Sequence, residues 1–497
     1  MLRASKVVID CNSMENNQLT ALIFDLTKKI KRSKILDAPE DLLVYEYDTS
    51  IDRALPDIVI LPTTVEEVSH AVTVAAQYDI PVIPRGSGTG FAGGALPVKG
   101  GILIVLTAMN KIREIDAENR LAIVEPGVIN LHLHEALEPY NLIYAPDPSS
   151  QRICTIGGNV GTNSGGPHTL AYGSTVNHIL GMEVVLPGGR IVWLGGRQLD
   201  TPGMDLRGVF VGSEGTLGIV TAICVSLIPV NETVRTMLAI FDSIDAASSA
   251  VSAVIRSGVI PMAMEMMDQE TIKVVEPRVR AGYPIDAGAV LLIEVEGLSE
   301  VVEHNSAVVV KACNELGARE VRIAESSLER ESLWEGRKSA IGALGQTAPA
   351  IYLLDGVVPR TKLPEILNKV LLASHKAGFK CANMFHAGDG NLHPTVLFDP
   401  LESGATDRVL ELGGEIMKLC VDAGGSITGE HGIGLEKRSY MEWVFTESDL
   451  AAMEKIRFSF DPVGNFNPCK ILPTGHGCAQ GHMQITDQQF SIPGVYV

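Results

Sequence analysis

The chain has 497 residues, enough for about three domains at roughly 150 residues each. Apolar residues make up 46% and charged residues 20%, which excludes a disordered chain. Against 59 Asp and Glu stand 40 Lys and Arg, and the formal charge of −19 excludes nucleic acid or an anionic membrane as the main partner.

No apolar run reaches the roughly 18 residues needed to cross a bilayer. The start, MLRASKVVIDCNSMENNQ, has its short apolar stretch broken by Asp10 and no small-residue cleavage site, so no secretory signal is expected. Residues 57 to 83 read as strand, helix, strand, with Thr64 and Glu67 forming a capping-box signature. Short apolar runs then alternate with glycine-rich turns: Ile102 to Leu106, Leu121 to Val124, Met182 to Leu186, Ile191 to Leu194 and Ile219 to Ile228. From 233 the order is strand (234–241), helix (244–257), strand (260–267), strand (289–296), helix (298–316), strand (319–323). That is a split βαββαβ arrangement, a ferredoxin-like antiparallel sheet with helices on one face. A helix near 326–346, a strand at 351–354, a helix at 361–377 and a hairpin at 380–398 follow. The stretch from about 472 has no periodicity and reads as an extended tail. Eight scattered cysteines (Cys11, Cys154, Cys224, Cys313, Cys381, Cys420, Cys469, Cys478) form no CxxC pair. They offer neither a zinc ribbon nor an iron–sulfur cluster, and suit a reducing, cytoplasmic compartment.

Three glycine loops carry the first chemical signal. Pro84, Arg85, Gly86, Ser87, Gly88, Thr89, Gly90, Phe91, Ala92, Gly93 and Gly94 contain a formal GxGxxG after a strand. Leu96 to Gly101 cannot open the helix a dinucleotide fingerprint requires, so NAD is not expected. A strand–loop–strand can instead cradle a pyrophosphate with its backbone N–H groups, although a plain turn array fits this loop equally well. The second loop runs from Pro148 and Ser149 through Thr155, Gly158, Asn159, Thr162 and Asn163 to Gly166. The third holds Glu214, Gly215, Gly218 and Ile219. Together they suit a long ligand with phosphates and hydrogen-bonding rings.

The second signal is Met384 to Pro394, with His386 and His393 around Asp389-Gly390. A two-residue type I′ turn centred there pairs His386 with His393, which brings two imidazoles within reach of one metal ion. Glu430-His431 lies in a further glycine-flanked run, Gly425 to Gly434. Two histidines and a glutamate with an open position make a catalytic metal set, for which zinc, manganese and iron all qualify. A structural role for a lone strand histidine is the plainer alternative. His132, His134, His168, His178, His304 and His375 match no such set and read as structural or surface residues. Arg337, in Trp334 to Lys338, offers a planar fork for a carboxylate. On residue pattern alone an exposed basic helix face is the better reading of it.

PRGSGTGFAGGALP, IGGNVGTNSGG and GSEGTLGIVT occur in the order seen in flavoproteins of the vanillyl-alcohol oxidase type. The chain resembles this family over nearly its whole length, and within it the D-2-hydroxyacid dehydrogenase branch that includes the D subunits of glycolate oxidase (glycolate dehydrogenase). The resemblance implies an α+β fold. A two-lobed FAD-binding domain (1–230) would be followed by a ferredoxin-like α/β substrate domain (231–425) and a segment returning to the FAD domain (426–497). Relatives that tether the flavin do so through His, Cys or Tyr, none of which occurs between Pro84 and Gly101, so non-covalent FAD is implied. It also implies His386, His393 and Glu430 as metal ligands, His431 as the base, and Arg337 as the carboxylate clamp. Similar proteins end near the flavin with a motif matching Phe460 to Lys470, which makes Asn467 a ring contact; many have Gly where Cys469 sits. Relatives that oxidise dicarboxylates carry a Lys in the strand after the clamp. Tyr352 to Asp355 has none, which favours a small monocarboxylate.

The expected reaction is oxidation of glycolate or D-lactate to the 2-oxo acid, with hydride passing to flavin N5. The expected acceptor is an iron–sulfur partner subunit, a quinone or a soluble carrier. The chain would act as a homodimer or hetero-oligomer, cytoplasmic or held at the inner face of a membrane by its partners. Rival readings are a non-catalytic flavoprotein subunit, a flavin-dependent transferase and a metal-dependent hydrolase.

Overall fold

The computed structural model describes residues 16–199 and 202–473. The leader reading, Cys11, Cys478 and most of the expected tail lie outside the described residues.

The first lobe is a four-stranded sheet in the order Ile35–Leu36, Ile58–Ile60, Ile102–Val105, Val82–Arg85. The last three strands are parallel. Ile58–Ile60 and Ile102–Val105 are buried at every position, as strands covered on both faces must be. The helix Val65–Gln77 packs its buried stripe, from Val68 to Ala75, on this sheet. Only half of the expected capping box forms. Thr64 Oγ1 accepts from the Glu67 N–H, while the Glu67 carboxylate turns to the Thr63 N–H and Lys34. No helix stands between Val82–Arg85 and Ile102–Val105, so the glycine loop joins two neighbouring parallel strands directly.

The second lobe is an antiparallel sheet ordered Ile112–Asp116, Leu121–Val124, Ile219–Ser226, Ile179–Val185, Ile191–Gly195. From Thr233 a long antiparallel sheet begins: Glu320–Ile323, Thr233–Phe241, Ala289–Gly297, Ala263–Asp268, Lys380–His386, Asn391–Leu392, Gly356–Val357. Helices Ile244–Arg256 and Ser299–Glu315 cover one face, with Leu363–Lys376 and Ala405–Asp422 in the same core. The opposite face is not bare. The helices Gln269–Val279 and Ser327–Leu344 pack there against Leu238, Ile240, Leu292 and Met384. The first of these has no counterpart in the sequence reading, because its composition is polar and Pro277 interrupts the helical pattern. It begins where Asp268 Oδ1 accepts from the Thr271 N–H.

Cys154, Cys224, Cys313, Cys381 and Cys420 are free and buried, and Cys469 is disulfide-bonded. Among the described residues no helix is long and apolar enough to cross a membrane.

Candidate active site

The three glycine loops meet around one cavity of about 350 Å³. The stretch from Pro84 to Gly90, with Gly94, forms one wall; Pro148, Ser149, Thr155, Gly158, Asn159 and Thr162 form another. Glu214, Gly215, Gly218 and Ile219 supply a third. The second loop is in part a short helix, Ile156–Thr162, whose cap Thr155 accepts from the Gly158 N–H. Gly86 packs so closely on this cap that a Cβ there would lie 2.5 Å from Thr155 Oγ1. The cavity is therefore bounded by backbone, with few side chains between a ligand and the N–H groups. Such a cradle fits a pyrophosphate-linked cofactor.

At its far end the cavity reaches Arg337, Lys338, His393, Glu430 and His431. The donor atoms of His386, His393 and Glu430 lie within 4.8 Å of one another. Glu430 Oε1 is 3.2 Å from the Nε2 atom of each histidine, and Glu430 Oε2 is buried with no partner. The far nitrogens are also fixed. His393 Nδ1–H donates to the Leu354 carbonyl at 3.1 Å, and His386 Nδ1–H donates to both Glu265 oxygens, at 2.8 and 2.9 Å. Both rings thus aim Nε2 at the carboxylate, the tautomer a metal ligand requires. These residues fit a divalent metal. Burial works against a charged His386, but Glu265 and Glu430 outweigh it and hold its pKa well above the ordinary imidazole value.

The hairpin that brings the histidines together differs from expectation. His386 pairs with Asn391, and Asn383 with Pro394. Four residues, Ala387 to Gly390, form the loop; Gly390 has φ +81° but Asp389 is not left-handed, so the type I′ turn is absent. In this register His386 and His393 are diagonal neighbours, not opposite each other. The register is shifted by two residues, and because side chains alternate with period two both imidazoles still share a face. Their centroids are 5.2 Å apart.

Arg337 is 3% exposed, which overturns the reading of an open basic helix face. It lies on the buried stripe Leu333, Arg337, Ala340, Leu344 of its helix. One Nη donates to Glu265 at 2.7 Å, while Nε is buried without a partner. His431 stacks between Phe91 of the first glycine loop (4.7 Å) and His393 (5.1 Å). Its Nδ1 has no partner, and burial pushes its pKa down to about 4, so the ring is neutral near pH 7. The loop carrying it hangs on Asp355. That carboxylate accepts from the Thr428 hydroxyl, the N–H groups of Gly429 and His431, and Lys437 at 2.8 Å. Asp355, His393 and His431 also converge, but with its oxygens so engaged Asp355 is poorly placed to bind an ion.

The FAD binding domain family matches residues 56–195, and the family of FAD linked oxidases, C-terminal domain, matches residues 230–471. Glycolate oxidase subunit GlcD of Escherichia coli K12 is 42% identical over 95% of each chain. The Bacillus subtilis protein of the same name is 40% identical, over 90% of this chain and 97% of its own. This chain belongs to the FAD-linked oxidases. D-lactate dehydrogenase of Anaerostipes hadrus is 32% identical over 92% of this chain and 98% of its own. Among solved structures, p-cresol methylhydroxylase superposes with a TM-score of 0.79 at 18% identity, covering 94% of this chain and 99% of its own. At that identity the likeness speaks for the vanillyl-alcohol-oxidase-type fold alone.

Within this FAD-linked oxidase most residues singled out from the sequence line the cavity, but four do not: the buried His386, Gly93, Asn163 and Asn467. Gly93 lies behind its loop against Leu435. Asn163 ends the short helix in the left-handed region, and its Oδ1 accepts from the Val176 N–H at 2.8 Å. Asn467 is fully buried and clips two glycine loops together, Nδ2 donating to the carbonyls of Gly94 (2.8 Å) and Glu214 (2.7 Å). Glu214 divides its role, lining the cavity while Oε1 accepts from the N–H groups of Ile433 and Gly434. Glu265 and Asp355 were missed. Each is an acidic residue within or ending an apolar strand, and such a buried charge is the one sequence signal that could have marked them.

Proposed function

We propose that this chain oxidises a small 2-hydroxy monocarboxylate, glycolate or D-lactate, to the 2-oxo acid, using non-covalent FAD and a divalent metal. One observation carries the reading: a single cavity runs from the glycine loops to Arg337, His393, Glu430 and His431. The names of the relatives, glycolate oxidase subunit and D-lactate dehydrogenase, support the substrate class. When bound, FAD supplies a hydride acceptor at N5, and zinc, manganese or iron supplies Lewis acidity toward the substrate hydroxyl.

The chain's own residues do the rest. His386, His393 and Glu430 hold the metal, and the glycine loops hold the cofactor. Arg337 binds the substrate carboxylate with the guanidinium edge that Glu265 leaves free. His431 takes the hydroxyl proton on its neutral ring, while Phe91 and His393 fix the plane of that ring. Lys338 also lines the wall, but Gln151 Oε1 engages its ammonium at 3.0 Å, which suits a substrate with one carboxylate. Electrons leave to an iron–sulfur partner subunit, a quinone or a soluble carrier; the word subunit in the names of the glycolate oxidase relatives supports the first. The proposal includes the division into an FAD unit (1–230), a substrate unit (231–425) and a returning segment (426–497). It also includes a cytoplasmic or peripheral location at the inner face of a membrane.

Anaerobic titration of the flavoprotein with 2-hydroxy acids, each enantiomer separately, tests the reading. Glycolate or D-lactate should bleach the flavin, and prior chelation should prevent it. A flavin that stays yellow with every acid would favour a non-catalytic subunit or a transferase.

A further inference from the structure

Glu265 joins two parts of the site that the reaction uses separately. It lies on Ala263–Asp268, directly opposite His386 on the neighbouring strand. Its neighbours Met264 and Met266 point into the helix-covered core on the other face, so alternation turns the carboxylate toward the site. It is 1% exposed. Both its oxygens accept from His386 Nδ1, and Oε2 also accepts from Arg337 at 2.7 Å. One buried carboxylate therefore carries a metal-binding imidazole on one side and the carboxylate-binding guanidinium on the other.

We propose that Glu265 is a positioning residue that couples the two: metal at His386 and a carboxylate at Arg337 each tighten the other's binding. The inference rests on the roles given above to Arg337 and to the His386, His393, Glu430 set. The physics is a shared counter-charge. A cation on His386 Nε2 makes Nδ1–H a stronger donor, which draws the Glu265 charge toward the imidazole. The ion pair with Arg337 then weakens, and the guanidinium has more positive charge to offer an incoming carboxylate. A carboxylate on Arg337 acts in reverse and frees Glu265 for His386, which makes that imidazole a better ligand. Such coupling is reciprocal by linkage. Because the same carboxylate fixes both groups, it also sets their spacing, and a 2-hydroxy acid needs clamp and hydroxyl site at one fixed separation.

The test uses the metal-depleted holoflavoprotein. Mn²⁺ binding is followed by loss of the free Mn²⁺ electron paramagnetic resonance signal, with and without acetate, which has a carboxylate but no hydroxyl. In the wild type, acetate should tighten Mn²⁺ binding by about 5-fold or more, and Mn²⁺ should tighten acetate by the same factor. Glu265→Gln should weaken Mn²⁺ by about 10- to 100-fold and bring the acetate factor close to one. A wild-type factor of one overturns the proposal, as does a Glu265→Gln protein that keeps the wild-type factor. If Glu265→Gln does not fold, as judged by its flavin spectrum, Glu265→Asp takes its place: the same charge on a shorter stem should lower the acetate factor, and an unchanged factor overturns the proposal. Absence of Mn²⁺ binding to the wild type removes the coupling together with the metal set. Flavin that no 2-hydroxy acid bleaches, beside an intact acetate factor, overturns the proposed substrate and leaves the coupling standing.

Discussion

His431 shows how its surroundings, more than its own chemistry, give a side chain its role. An imidazole in water titrates near 6.5, but here burial between Phe91 and His393 pushes the pKa down to about 4. The ring is therefore available as a proton acceptor across the neutral range. Replacing His431 by Asn should slow flavin reduction by about 10² or more in single turnover, with flavin content unchanged. Reduction at the wild-type rate would remove the residue from the reaction. The sequence marked His431 and Glu430 through the glycines beside them, yet it could not mark Glu265. That residue is 121 positions from His386, and only strand pairing makes them neighbours.

At the scale of elements, the loop Thr428 to His431 hangs on one carboxylate at the end of Ala350–Leu353, helped by a local hydrogen bond from the Gly432 N–H to Thr428 Oγ1. Burial raises the cost of charge on Asp355, but Lys437 and the nearby imidazoles outweigh it and hold its pKa well below the carboxylate range. Both members of the Asp355–Lys437 pair are nearly inaccessible, at 0% and 2% side-chain exposure. Asp355→Asn leaves Lys437 buried without its counter-charge and should cost about 3–5 kcal/mol of unfolding free energy, measured with guanidinium chloride. Adding Lys437→Met should recover part of that stability but not activity, because the loop N–H groups still lack their charged acceptor. Equal stability of the single and double variants would show that the pair is not what the loop depends on. The hairpin gives the complementary lesson. Asp389-Gly390 announced a reversal, but turn type and loop length are set by pairing along the whole strand. The error of two residues left the shared face intact; an error of one would have put His393 on the opposite side.

For the whole molecule, the acid limb of stability should carry a mark of the second lobe. His178 is buried, donates Nε2–H to the Tyr172 carbonyl at 2.9 Å, and has its pKa pushed down by burial to about 4. Its folded value lies below the unfolded one near 6.5, so between about pH 4 and 6.5 the unfolded chain binds the extra proton. Stability is therefore lost as pH falls through that window, by at most roughly 3 kcal/mol from this group at about 1.4 kcal/mol per unit. His178→Gln should flatten the unfolding free energy between pH 6.5 and 4.5 relative to the wild type. An unchanged slope would place the acid sensitivity elsewhere.

By itself the sequence determined the local chemistry. The glycine loops, the strand runs, the two histidines and Glu430-His431 are written in short segments, and the fold keeps them, with the hairpin register shifted by two residues and part of the second loop wound into a helix. Tertiary structure alone decided what these segments meet. It buried Arg337 on a stripe that looked solvent-facing, inserted the helix Gln269–Val279, and made Asn467 a clip between loops. It also brought Glu265 and Asp355 from distant strands to orient the site. The reason is that burial and the pairing of charges depend on contacts between residues far apart in the chain, and residue spacing along a single segment carries no record of them.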